Sequence, residues 1–154
     1  MRDPMRPVLY VLLCSCAPTQ TPSFTLYKGM RVYCDDLCVS QGEMLAGTEQ
    51  WLVAMNEYAG IAPRDARAWL SHAEVYLESG DDMPPCASGT QQGWEMRVRY
   101  RGGCLLRTAF HHELGHYLRR WMRGDGDPAH ADDDWWLAVE LAAEQCEAAR
   151  RWCK

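Results

Sequence analysis

The sequence has 154 residues, of which 47% are hydrophobic and 24% are charged, and its formal net charge is -5 at pH 7. A chain of this length and composition is sufficient for one compact domain with its own hydrophobic core. The basic residues form no dense patch of the kind that binds nucleic acid, so we expect no nucleic-acid partner.

The first residues predict export. Two arginines precede an apolar run over residues 8–13, which is too short to span a membrane and has the length expected of a secretory signal. Leu13-Cys14-Ser15-Cys16 overlaps the end of this run and resembles the lipobox of bacterial lipoproteins, with Cys14 as a mild departure from the usual small residue. The resemblance implies that residues 1–15 are a lipoprotein signal peptide and that Cys16 is lipidated.

Lipidation of Cys16 implies attachment to the membrane of the cell envelope. Ala17 in the next position implies sorting to the outer membrane, if the source is a Gram-negative bacterium. The alternative is an ordinary signal peptide cleaved near Ala17, and in both cases the mature chain is exported. Residues 16–24 are rich in Pro, Thr, Ser and Gln, which predicts an unfolded tether. Residues 25–154 then form the folded domain.

Cysteine usage agrees with export. An even number of cysteines in a small exported domain predicts up to three disulfides. Outside the signal region these residues are Cys34, Cys38, Cys86, Cys104, Cys146 and Cys153. We expect Cys146 and Cys153 not to pair with each other, because seven helical residues separate them by about 10 Å. The alternative is a four-cysteine zinc site, which the spacing of the cysteines disfavours.

The first half of the domain predicts a hairpin and a helix. Residues 26–33 are typical of a strand or of a hairpin around Gly29. Thr48 is predicted to cap a helix that runs to Tyr58, and Gly60 is predicted to end it.

Two later segments, residues 73–78 and 94–101, alternate between apolar and polar side chains, as half-buried strands do. The turn Gly102-Gly103 leads from the second strand toward the next helix. This order predicts a small α+β domain, stapled by disulfides, with an antiparallel or mixed sheet against that helix. An edge strand of such a sheet can hold an extended substrate.

The helix after this turn carries His112-Glu113-Leu114-Gly115-His116, which matches the pattern HExxH. The spacing places two imidazoles one helical turn apart, so that both can bind one zinc ion, with the glutamate as general base. An apolar stripe marks the opposite face of the helix at Leu106, Phe110, Leu114 and Leu118. His111 cannot form such a pair, because Gly115 stands four residues after it. We therefore predict that His112 and His116 bind Zn²⁺.

A catalytic zinc ion usually has three protein ligands and one open position. The residues after His116 exclude the metzincin pattern, because they lack its Gly and His. Two kinds of third ligand remain. One is His130, at the end of the turn-rich segment 124–129. The other is a glutamate of the last helix, Glu140 or Glu144, as in thermolysin-like enzymes.

The segment HELGH, followed by GDGDPAH and then WW, resembles extracytoplasmic metallopeptidases of the zincin type, often lipoproteins of myxobacteria-like organisms. The resemblance favours His130 as the third ligand. Asp125 and Asp127 are candidates to orient an imidazole from outside the metal site. Trp135 and Trp136 are predicted to anchor the last helix in the core.

Together these residues predict an exported zinc-dependent hydrolase that acts on peptides or proteins. Zinc held by His112, His116 and His130 would lower the pKa of its water to about 7. Glu113 would act as general base and then as general acid. Candidates to stabilise the oxyanion, none of them assigned, are Tyr117, His111 and His72. The alternative is a non-catalytic cell-surface binding or structural lipoprotein on a zincin-like frame, which the intact Glu113 disfavours.

Overall fold

A computed structural model describes residues 20–35, 37–78, 89–100 and 109–148, with side chains up to residue 145. Within these ranges the protein is an α+β domain with a mixed five-stranded sheet and four helices. The strands are β1 (Phe24–Leu26), β2 (Met30–Cys34), β3 (Glu74–Glu78), β4 (Gly89–Gln92) and β5 (Glu95–Arg99). The helices are α1 (Gln41–Ala59), α2 (Pro63–Leu70), α3 (Ala109–Arg123) and α4 (Asp133–Ala148). The predicted α+β class is confirmed.

The sheet has the strand order β1-β2-β3-β5-β4. β1 and β2 form the predicted hairpin around Gly29 and are antiparallel, whereas β2, β3 and β5 run parallel. β4 pairs antiparallel with β5 and is the last strand in the order. The sheet is therefore mixed, and its last two strands in the order, β5 and β4, both contact α3.

The two faces of the sheet differ in polarity, as the alternating sequence predicts. The inner face consists of apolar side chains that belong to one core with the helices: Val32, Val75, Leu77, Met96 and Val98. The outer face carries ion pairs between neighbouring strands, such as Arg31 with Glu74 and Arg97 with Glu78. The helices therefore pack against one face only.

The start of α1 differs from the prediction. Its N-cap is Ser40, whose hydroxyl accepts a hydrogen bond of 3.1 Å from the backbone N–H of Glu43. Thr48, the predicted cap, lies buried inside the helix, where its hydroxyl donates to the carbonyl of Met44 at 2.7 Å. This internal bond satisfies the hydroxyl without ending the helix. Gly60 does end the helix as predicted, with a left-handed φ of 69°.

One disulfide lies within the described residues and joins Cys34, at the end of β2, to Cys38, before α1. Their Cα atoms are 5.2 Å apart, within the usual range for a disulfide. The other predicted pairings lie outside the described residues or side chains, because they involve Cys86, Cys104, Cys146 and Cys153.

The predicted signal peptide and the candidate lipidation site Cys16 also lie outside the described residues. β1 begins at Phe24, the last residue of the predicted tether. Over the described ranges, no helix combines the length and the apolar character needed to cross a membrane.

Helix α3 lies beside β4 and β5 and packs against α4. Gly115 lies at a close approach between α3 and α4. A Cβ atom at this position would lie 2.9 Å from Cγ2 of Val139 and 3.2 Å from Cζ3 of Trp136. Gly115 thus brings Trp136 of α4 close to the HExxH motif.

Replacement of Gly115 with alanine is expected to lower the free energy of unfolding by about 1–3 kcal/mol, because the added methyl group overpacks this contact. Urea unfolding measures the change. The control is Gly42→Ala in α1, where no atom lies within 4 Å of the added Cβ. That variant should gain up to about 1 kcal/mol. Equal stability of the two variants would contradict the close approach.

Candidate metal centre

Helix α3 separates its apolar side chains from the two motif histidines. Phe110, Leu114 and Leu118 are fully buried in the core, as the stripe predicts, and the fourth predicted position, Leu106, lies outside the described residues. His112 and His116 are only half-buried and line a cleft on the opposite side. The local sequence therefore fixes which face of the helix carries the imidazoles.

His111 points into the core, away from the two motif histidines. It is completely buried, and its ring stacks on Trp51 with 5.5 Å between the ring centroids. This position agrees with the prediction that His111 is not one of the paired histidines.

The loop between α3 and α4 brings His130 to the same cleft. Gly124 turns the chain at the end of α3 with a φ of 84°. Asp127 and His130 also have left-handed φ values, of 50° and 52°, and the backbone N–H of His130 donates to the carbonyl of Asp127 at 3.0 Å. This compact turn places the imidazole of His130 over α3.

The three histidines converge through their Nε2 atoms. The distance from Nε2 of His112 to that of His130 is 3.0 Å, and the other two Nε2–Nε2 distances are 3.2 Å. In the described part of the chain, these residues form a group of side chains close enough to share one metal ion. The structure thus brings together the three histidines that the sequence predicts as ligands.

The protonation of this cluster favours cation binding. His116 Nδ1 lies 2.5 Å from the carbonyl oxygen of Gly126, which can only accept, so Nδ1 carries the proton. In neutral His116 the Nε2 atom then offers a lone pair to the cluster. Burial, followed by the neighbouring imidazoles, lowers the pKa of His112 to about 4, and burial also lowers the pKa of His116. Both rings are therefore neutral near pH 7.

The donor set and its spacing fit zinc. In a tetrahedral site with Zn–N bonds of about 2.0–2.1 Å, the ligand nitrogens are about 3.3 Å apart. The observed separations of 3.0–3.2 Å are close to this value. Three imidazoles with one side open to a cleft are also a common ligand set of catalytic zinc.

The glutamates of α4 do not take part in this cluster. Glu140 and Glu144 are both exposed, and neither lines the cleft that contains the histidines. The geometry therefore favours His130 over the thermolysin-like alternative.

The buried carboxylate of Asp127 organises the loop that carries His130. It accepts hydrogen bonds of 2.9 Å from the backbone N–H groups of Ala131 and Asp132 and from the indole of Trp136. Chiefly because of the bond from Ala131, the pKa of Asp127 falls to about 2. Asp127 thus links the loop to the first turn of α4.

The two candidates for orienting an imidazole differ from expectation. The group that orients His116 is the backbone carbonyl of Gly126, rather than the side chain of Asp125 or Asp127. Asp125 pairs with Arg119 and accepts a hydrogen bond of 2.9 Å from the backbone N–H of Asp127. Both aspartates therefore shape the loop and act on the histidines indirectly.

Trp136 packs against the cluster of the three histidines. Trp135 and Trp136 are both buried, at 3% and 7% exposure, in agreement with their prediction as core residues. In addition, the Trp136 ring lies 4.4 Å from the rings of His116 and His130 and 4.8 Å from that of His112, centroid to centroid. Trp136 therefore provides an apolar surface against which all three histidine rings pack. The sequence analysis did not predict this contact.

Replacement of Asp127 with asparagine is expected to weaken zinc binding by about 10- to 100-fold, because an amide cannot accept from all three donors that position His130 and Trp136. Competition with a chromophoric zinc chelator measures the affinity. The matched control is Asp134→Asn, an exposed residue in the first turn of α4. Equal zinc affinities of the two variants would contradict this role for Asp127.

Glu113 lies in the same cleft as the histidines. The cleft has a volume of about 380 Å³. The Glu113 side chain is only 4% exposed, and burial raises its pKa to about 7. The carboxyl packs against the backbone of β4 at Gly89, where a Cβ atom would lie 2.7 Å from both Cγ and Oε1 of Glu113. Gly89 thus leaves room for the candidate general base.

The raised pKa predicts a pH effect on the metal-free protein. A carboxyl whose pKa rises from 4.5 to about 7 on folding contributes stability below pH 4.5, which is lost as the pH rises through 7. His112 has the opposite effect, because its lowered pKa causes a loss of stability as the pH falls from 6.5 to about 4.

Comparison with Glu113→Gln isolates the glutamate. The free energy of unfolding of each metal-free protein is measured with urea after chelator treatment, at pH 5 and at pH 8. The value for the variant minus that for the wild type should be larger at pH 8 than at pH 5. The same stability difference at both pH values would contradict the burial of an ionisable Glu113.

None of the three candidate oxyanion residues lines the cleft. Tyr117 is buried, and its hydroxyl donates to the carbonyl of Trp69 at 3.0 Å. His72 packs against Trp94 and Trp121. His111 lies in the core, so the described residues assign no oxyanion role to any of the three.

No family model, curated protein or solved structure matches this chain. The function is therefore argued from the chemistry of the site.

Proposed function

We propose that the protein is a zinc-dependent peptidase. The observation that carries this proposal is the convergence of three imidazole Nε2 atoms, 3.0–3.2 Å apart, in the cleft that also contains the carboxyl of Glu113. A structural zinc site is usually closed by four protein ligands, whereas a catalytic site has three and an open position. The three-histidine cluster and its open cleft support the second kind.

The residues around the metal position have distinct tasks. When bound, zinc supplies Lewis-acid catalysis, because it polarises the substrate carbonyl and acidifies water. Glu113 takes the proton from the attacking water and donates it to the leaving amine. The Gly126 carbonyl holds His116 in the tautomer that directs Nε2 toward the metal position. Trp136 packs against all three imidazole rings and belongs to the hydrophobic core.

A peptide substrate is supported by the position of β4. This strand ends the described sheet, pairs only with β5 and lines the cleft through Gly89, Thr90 and Gln91. An extended peptide can add to such an edge through backbone hydrogen bonds. The carbonyl of the bond to be cleaved would then lie between β4 and the histidines of α3.

This arrangement of a sheet edge beside an HExxH helix supports a zincin-like frame. Its mixed sheet and the glutamate between the histidines agree with the resemblance seen in the sequence. We extend the proposal to the location of the protein: an exported peptidase anchored to the membrane of the cell envelope through lipidated Cys16, in the outer membrane if the source is Gram-negative.

The proposal is tested by incubating the purified protein with a mixture of unmodified peptides and identifying the products by mass spectrometry. We expect cleavage that stops when a chelator removes zinc and returns with one equivalent of Zn²⁺. Absence of cleavage by the zinc-loaded protein would contradict the proposal and favour the non-catalytic binding protein instead.

A further inference from the structure

Arg120 lies on the same face of α3 as the two motif histidines. The residues His112, His116 and Arg120 follow one another at intervals of four, which places them on successive turns of the helix. All three line the cleft, as do Gly126 and Pro128. Its side chain is exposed and therefore accessible to a ligand in the cleft.

Arg120 differs from the other arginines at the end of α3. Arg119 forms ion pairs with Asp125 and Asp132, and Arg123 also pairs with Asp132. Within the described part of the chain, Arg120 has no ion pair and no side-chain hydrogen bond. The helix dipole favours basic residues in a last turn, but it does not require one that faces the cleft.

The charge of the cleft also distinguishes this residue. Among the described residues that line it, Arg120 is the one Arg or Lys and Glu113 is the one acidic residue. The whole chain has a net charge of -5, so it provides no general attraction for anions. A guanidinium without a partner is well suited to bind a carboxylate through two hydrogen bonds.

We propose that Arg120 binds a carboxylate of the substrate and makes the cleft selective for acidic peptides. This inference rests on the proposed peptidase function. The metal position is shared by His112 and His116, whose midpoint is six helical residues from Arg120, about 9 Å along the axis. An extended peptide advances about 3.3 Å per residue. For a peptide that runs along α3, the carboxylate recognised by Arg120 is therefore about three residues from the bond that is cleaved. It belongs either to an Asp or Glu side chain or to a free C-terminus.

Binding to zinc-loaded Glu113→Gln protein tests this inference without turnover. The probes are hexapeptide pairs that differ by Glu against Gln at one position, or by a free against an amidated C-terminus. Isothermal titration calorimetry should show that the acidic member of at least one pair binds more tightly. A second substitution in the same protein, Arg120→Gln, should weaken binding of the acidic member by about 10- to 100-fold, the range expected for loss of hydrogen bonds to a charged group. Binding of the neutral member should be unchanged.

Two further variants separate recognition from general charge effects. Arg64→Gln removes an exposed arginine of α2 that does not line the cleft, and it should leave the preference unchanged. Arg120→Lys keeps the charge but loses the two-pronged geometry, so it should restore part of the preference. Which pair responds identifies the source of the carboxylate, a side chain or the C-terminus.

The inference is overturned if Arg120→Gln leaves the preference intact, if it weakens both members of a pair equally, or if no hexapeptide binds. Turnover by the wild type tests the peptidase function separately. If neutral peptides are cleaved while Arg120→Gln does not alter the preference, the peptidase function stands and only the role of Arg120 fails.

Discussion

Replacement of Glu113 with glutamine is expected to reduce the rate of peptide hydrolysis by about 10²- to 10⁴-fold, the contribution of a positioned general acid–base group. Glutamine has nearly the same shape, so it fits the space that Gly89 leaves, but it cannot take up the proton. Zinc binding should be retained, because the three converging ligand atoms all belong to histidines.

The measurement is kcat/KM for a peptide that the wild type cleaves, together with the zinc content by mass spectrometry. Glu140→Gln is the matched control, because Glu140 is exposed on α4 and lies outside the cleft. Nearly unchanged activity of the Glu113→Gln variant would rule out Glu113 as the base. Joint loss of zinc and activity would instead indicate that the carboxyl supports the metal site.

Replacement of His130 with asparagine is expected to weaken zinc binding by more than about 100-fold. Loss of a residue that only hydrogen-bonds to a ligand typically weakens metal binding by roughly 10- to 100-fold, and loss of a ligand should have a larger effect. His130 supplies one of the three converging nitrogens, 3.0 Å from that of His112. The substitution should be tolerated by the fold, because His130 is exposed. Asparagine also tolerates the left-handed backbone found there, with φ of 52°.

Zinc affinity is measured by competition with a chromophoric chelator, and fluorescence offers a second signal because Trp136 touches the histidine rings. The control is His72→Asn, at an exposed residue outside the cleft. If the His130→Asn variant binds zinc as tightly as the wild type, while Glu140→Gln or Glu144→Gln weakens binding, the third ligand lies on α4.

The elements that could be predicted from the sequence are those fixed by a strong local pattern. Alternating side chains around Val75 and Met96 fix the inner faces of β3 and β5, and the four-residue repeat fixes the buried side of α3. The pairing of His112 with His116 follows from the same periodicity. In each case the signal extends over only one or two turns of helix or a single strand.

The strand β4 could not be predicted, because its sequence Gly-Thr-Gln-Gln has no apolar side chain and no alternation. It is a strand because of its pairing with β5, in which Thr90 lies opposite Arg97. The two strands form a hairpin through the two-residue turn Gly93-Trp94, where Gly93 has a left-handed φ of 59°, but the side chains of β4 show no pattern that indicates a strand. Helix α2 was also missed, although Pro63 at its first position is a recognisable start signal.

The details of the site depend on contacts between distant residues. The position of His130 requires a left-handed backbone at Asp127 and at His130 itself, and no sequence pattern predicts this conformation at residues other than glycine. Asp127 is recognisable as a loop residue, but its bond to the indole of Trp136 joins positions nine residues apart. The role of Gly89 in making room for Glu113 likewise appears only when β4 is placed beside α3.

The central claim, a zinc site built from His112, His116 and His130, is tested most directly by zinc K-edge X-ray absorption of the protein loaded with one equivalent of Zn²⁺. We expect three nitrogen ligands of imidazole type at about 2.0–2.1 Å and no sulfur. The His130→Asn variant should lose one imidazole from this shell. Sulfur ligands at about 2.3 Å, or no stoichiometric zinc binding at all, would contradict the claim.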